Sequence, residues 1–137
     1  MNKYLTGIIA ILTLTTISSI DSAAKNKQTP KIYMFGIAAS FNDSTVYFTD
    51  IQELENVWIN DKGNFLINRS EYSYQLKNYL EAQGYSHRTC IVSFAFKRKD
   101  IEKKFHKTRN KYVKRGNNDL KYINNNEFKF SPVSFEE

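Results

Sequence analysis

The order of apolar patterns along this chain predicts an α+β fold: a two-layer sandwich in which a mixed β-sheet carries two main helices on one face, in the order ββαβαβ. Two stretches, 71–83 and 98–115, repeat their apolar residues three or four apart and each runs into a glycine, Gly84 or Gly116. Others, at 32–41, 46–49 and 88–96, are dense in branched and aromatic residues and too short for independent helices. Strands and helices that alternate along the second half of a chain pack most simply as a sheet with helices laid on it.

Taken in order, the first strand covers 32–41 and the second 46–49, with the turn formers Asn42, Asp43 and Ser44 between them, which makes a hairpin. Gly36, Ala38 and Ala39 are small residues within the first strand, where a helix or a ligand can approach the backbone closely. Asp50 followed by Glu53 has the spacing of a capping box, and Ile51, Leu54 and Trp58 recur at helical spacing, which predicts a short helix over 51–58. After the turn residues 60–63, the brief run 65–67 is either an edge strand or a loop anchor.

Ser70 is a candidate cap for the helix at 71–83, whose stripe is Tyr72, Leu76, Tyr79 and Leu80. The run 88–96 contains no breaker and reads as a central strand. The helix at 98–115 has Ile101, Phe105, Thr108 and Tyr112 on its inner stripe. Residues 120–123 and 127–130, on either side of three asparagines, form a last hairpin or one strand and a tail.

Domain organisation follows from composition. Residues 1–24 have a positive start, an uncharged apolar stretch and a small-residue end at Ser22, Ala23 and Ala24, the pattern of an export signal cut after Ala24. A retained anchor is the competing reading, although a bilayer span needs about 20 mainly apolar residues and this run is diluted by Thr and Ser. Residues 25–30 read as a flexible lead, 31–130 as one globular domain and 131–137 as a tail. Such an address implies a periplasmic or extracellular protein. The Asn-, Lys- and Ile-rich composition suggests an AT-rich bacterial genome. A single cysteine, Cys90, excludes an intrachain disulfide framework and a lipidated cysteine near Ala24.

Charge is the strongest chemical signal. The chain has a formal balance of +6, yet the stretch 97–121 alone has eleven Lys and Arg against three carboxylates, a local +8. Lys99, Lys103, Lys107 and Lys111 form a ladder at spacing four, and with Lys114 and Arg115 they are the candidate polyanion-binding residues. A solvated face over the core stripe explains the same charges without a ligand. The ligand classes that fit are an anionic polymer or lipid surface, or a protein partner. Nucleic acid is disfavoured, because export separates the protein from the chromosome and no nucleic-acid-binding signature is present.

Catalytic patterns are weak. His87 lies three residues before Cys90, an odd spacing that sends the two side chains to opposite faces of a regular strand, while Cys90 shares its face with Val92, Phe94 and Phe96. A buried, inert thiol is expected, with His106 the other imidazole to consider. No metal-ligand spacing, Gly-x-Ser-x-Gly elbow or phosphate-cradling glycine loop occurs, so no cofactor or metal is expected. The best-supported function is therefore a non-enzymatic exported domain that binds a partner at the cell envelope. The alternatives are a small hydrolase or thiol enzyme, and a structural or assembly subunit.

Overall fold

The computed structural model describes residues 25–62 and 64–135. The expected export signal, 1–24, lies outside the described residues. Strand β1, Asn26–Ala39, is the spine of a six-stranded mixed sheet, because three strands pair with different parts of it. Its first part, Asn26 to Met34, pairs antiparallel with β3, Gln52–Asn60. Its last three residues pair with β2, Thr45–Thr49, and Tyr33 to Ala39 pair with β5, Thr89–Ala95. Since β5 overlaps both other pairings, β2 and β3 lie end to end along one side of β1 and β5 lies along the other. The two-residue β4, Phe65–Leu66, adds to β3, and β6, Asp119–Ile123, adds parallel to β2.

The junction of β2 and β3 is a bulge. Ile37 faces Phe48 whereas Met34 faces Gln52, a step of three residues on β1 against four on the opposing chain. Thr49 satisfies the interrupted ladder: its Oγ1 accepts the Gly36 N–H at 2.8 Å and donates to the Asp50 carbonyl at 3.1 Å. Asn56, with φ +57, breaks β3 a second time opposite Pro30, which has no N–H to offer.

Helix α1, Arg69–Ala82, buries Tyr72, Leu76 and Leu80 against Ile32, Met34, Ala38, Leu54 and Val92. Helix α2, Arg98–Arg115, buries Ile101 and packs Phe105 and Tyr112 against Phe35, Ile37, Val46 and Phe48. The first set takes the even-numbered side chains of β1 and the second the odd-numbered ones, so the helices cover opposite faces. The α+β class, the mixed sheet and its two main helices are as the sequence predicts; their placement on one face is corrected. The reason is topological. The chain crosses β1 in going from β3 through α1 to β5, then returns through α2 to β6. Crossovers of the usual right hand that run in opposite directions across a sheet leave their helices on opposite faces.

Other expectations are corrected locally. Residues 51–58 are strand, not helix, and β5 is an edge strand with β1 as its sheet partner, not a central one. The sheet reaches back to Asn26 rather than starting at Lys31, because Asn26 to Thr29, within the expected flexible lead 25–30, pair with the end of β3, and Lys25 N–H donates to Asp61 at 2.9 Å. The run 65–67 provides the edge strand β4. Ser70 lies inside α1, whose N-cap is Asn68 at φ +55, while Gly84 at φ +90 and Gly116 at φ +74 stop the helices where predicted.

Beyond β6 there is no final hairpin. The tail instead lies on the α1 side of the sheet, where Phe128 and Phe130 enter the core. Its backbone is held by side chains: Gln52 Nε2 donates to the Phe128 carbonyl at 2.9 Å and Gln52 Oε1 accepts the Phe130 N–H at 2.8 Å. Further along, Gln75 Oε1 accepts from Ser131 N–H at 2.8 Å and the Tyr72 hydroxyl accepts from Val133 N–H at 3.0 Å.

Candidate functional site

A cleft of about 750 Å³ opens where the outer edge of β5 meets α2. Its floor is the end of β5, with Phe94 and Phe96 edge to face at 5.9 Å, and its walls carry Arg69 from α1 and Lys97, Lys103, Lys104 and Lys107 from the start and first half of α2. Asp100 is the one carboxylate among the lining residues. Five cations against one anion in a concave, partly apolar surface concentrate positive potential more than the same charges spread over a convex face.

Two of these cations close the edge of the sheet. Lys104 Nζ donates to the Phe94 carbonyl at 3.0 Å, and the Arg69 guanidinium donates to the Val92 carbonyl while standing 5.8 Å from the centre of the Phe94 ring. Arg69 arrives from the α1 face and Lys104 from the α2 face, so the outer edge of β5 is clamped from both sides. Cations on an exposed edge disfavour pairing with any strand that does not bring complementary negative charge.

The six sequence-predicted residues separate here. All are exposed, and Lys103 and Lys107 line the cleft, but Lys99, Lys111, Lys114 and Arg115 do not; Arg115 instead stands 5.1 Å over the Tyr112 ring. A ladder at spacing four turns slowly around a helix of 3.6 residues per turn, so its members cannot all face one groove. Sequence reasoning missed Lys97 and Lys104 as site members, although Lys97, Lys104 and Lys107 do share a helical stripe. Arg69 carried no signal at all, since only the fold brings it beside β5.

Cys90 lies half-buried in a second, smaller pocket of about 350 Å³ with Ser70, Lys77 and Arg88. Burial pushes its thiol from the ordinary 9.0 up to about 11, outweighing the opposing pull of Lys77 and Arg88. The histidines offer no base: His87 is exposed at φ +64 outside β5, and His106 belongs to α2, across the sheet from the cluster that Cys90 packs against. Arg88 itself is buried, held by Asp43 at 2.7 Å and the Thr45 carbonyl at 2.8 Å, and it stands 4.8 Å over Tyr47, so it anchors the β1–β2 turn. Alkylation of Cys90 at pH 8 is expected to be on the order of 100-fold slower than for an unperturbed thiol and to accelerate about tenfold per pH unit toward pH 11. Rapid modification at pH 8 in the folded protein contradicts this.

Among the described residues no group of three or more His, Cys, Asp and Glu is arranged to hold a metal ion, and no helix is long and apolar enough to cross a membrane. Neither a protein-family model, nor a curated protein, nor a solved structure matches this chain.

Proposed function

We propose that this protein is an exported, non-enzymatic binding domain that holds an anionic partner at the cell envelope or outside the cell, with the β5–α2 cleft and the adjoining face of α2 as its contact surface. One observation carries the reading: five cations converge on a single concave site whose lining contains one carboxylate. Charges that served only solubility have no need to cluster around a groove from two different helices. Burial that pushes the Cys90 thiol up to about 11 weighs against thiol chemistry at neutral pH.

The test is retention of the protein on anionic vesicles, cell-wall material and an acidic polysaccharide, at low and at physiological salt. Retention is expected to fall with salt, as it does wherever bound counterions are released. The triple variant K103Q/K107Q/K111Q is expected to lose at least tenfold in affinity without unfolding. Those side chains are exposed, and removing the four like-charge contacts at spacing four that they make, Lys99–Lys103, Lys103–Lys107, Lys107–Lys111 and Lys111–Arg115, favours the helix by about 1–2 kcal/mol. Absence of retention at either salt concentration returns α2 to a merely solvated face.

A further inference from the structure

We propose that the cleft seats an extended acidic peptide segment of a partner protein, which adds as a strand along the outer edge of β5 while its carboxylates engage Arg69 and Lys104. This rests on the anionic-partner reading and narrows it to one class of ligand.

The edge of β5 is what selects a peptide. Residues of an antiparallel pair hold their N–H and C=O on the same side, so Val92 and Phe94, whose carbonyls meet Arg69 and Lys104, aim their N–H groups outward as well. Side-chain cations occupy two acceptors of that edge, the Val92 and Phe94 carbonyls. No side-chain acceptor among the described residues meets its donors. A strand laid alongside supplies both, with carbonyls for the Val92 and Phe94 amides and N–H groups for their carbonyls. Its carboxylates then receive the two cations it displaces. A polysaccharide or a lipid headgroup matches the charge but has no regular alternation of N–H and C=O to pair with the edge.

The placement of the cations adds a rule for the sequence of the ligand. Arg69 belongs to the helix on one face of the sheet and Lys104 to the helix on the other. Successive side chains of a strand point to opposite faces. Carboxylates that reach both cations therefore sit at odd spacing, i and i+1 or i and i+3, whereas carboxylates at i and i+2 reach one face only. Between them Phe94 and Phe96 leave an apolar floor for an uncharged side chain.

The experiment titrates the full-length protein with a blocked ten-residue peptide carrying adjacent carboxylates. The comparisons are a peptide of identical composition with carboxylates at alternate positions, the first peptide N-methylated at every second residue, and an acidic polysaccharide of matched charge. Binding is read by anisotropy and amide exchange by NMR. The expected result is that the first peptide binds and slows exchange at Val92 and Phe94 at least tenfold. The alternate-position and N-methylated peptides are expected to bind at least tenfold more weakly, and the double variant R69Q/K104Q to weaken the first peptide by a similar factor. Equal binding of all four ligands without protection of those amides overturns the strand-addition proposal and leaves a charge-only polyanion site. Failure of every ligand to bind overturns the strand-addition proposal, while retention on anionic vesicles and cell-wall material decides the anionic-partner reading separately.

Discussion

Gln52→Leu is expected to destabilise the protein by about 2–5 kcal/mol and to loosen the chain from Phe128 onward. Gln52 is buried, and its amide brackets the tail by donating to the Phe128 carbonyl and accepting from the Phe130 N–H. Leucine matches its bulk but leaves two buried backbone groups without partners, each costing roughly 1–3 kcal/mol. Phe128 and Phe130, which stand edge to face at 4.9 Å and are both buried, depend on that bracket for their position. Urea unfolding gives the loss of stability, and hydrogen exchange gives its location. Unchanged exchange at Phe130 would show that the aromatic packing alone holds the tail. Gln52→Glu supplies a control of defined sign. Its ionised form keeps the acceptor for Phe130 but faces the Phe128 carbonyl without a proton, whereas its neutral form can donate one. The folded state thus holds that proton more tightly than the unfolded chain, and the variant gains stability as pH falls.

The second large effect lies where α1 crosses β1. A Cβ added at Gly36 would stand 2.7 Å from Leu76 Cδ2 and 3.0 Å from Phe130 Cζ, closer than side chains tolerate, and both neighbours are buried. The Gly36 backbone is one that any residue adopts, so the glycine is there for contact and not for conformation. Gly36→Ala is expected to cost about 1–3 kcal/mol by overpacking. Leu76→Ala, at a fully buried position, is expected to cost about 3–5 kcal/mol through lost burial and the cavity left behind. Since the methyl added by one fills space vacated by the other, the double variant should be more stable than the sum of the two by roughly 0.5–3 kcal/mol. Strict additivity would mean that the helix and the strand do not touch at this point.

The same pair of residues illustrates how much of the fold was legible. Small residues at Gly36 and Ala38 announced a close approach, and the stripe Tyr72, Leu76, Leu80 announced the helix that makes it. Both helices are visible in the chain because each has an uninterrupted period of 3.6 and a glycine at its end. Strand β3 was misread for an equally physical reason. Its inward residues are Gln52, Leu54, Val57 and Ile59, and the break at Asn56 shifts their alternation by one. The helical spacing of Ile51, Leu54 and Trp58 mixes the two faces of the sheet: Leu54 belongs to the core under α1, Ile51, just before β3, packs with the cluster under α2, and Trp58 alternates with the inward Val57 and Ile59. The tail was undervalued because its anchors, Gln52, Gln75 and Tyr72, are distant in sequence and their role is to bind backbone, which no side-chain pattern records.

Local periodicity, glycine stops and charge density are properties of neighbouring residues, and they alone established an α+β chain with two helices, one of them strongly basic. The cleft is a different kind of fact. It exists because the chain reverses its direction of travel across the sheet, which sends α1 and α2 to opposite faces and leaves β5 at the edge between them. That arrangement brings Arg69 within reach of Val92 and Lys104 within reach of Phe94, and it separates Lys103 and Lys107 from the rest of their own ladder. Which charges share a site is decided by distances across the sheet, and those are set by topology and packing rather than by any spacing along the chain.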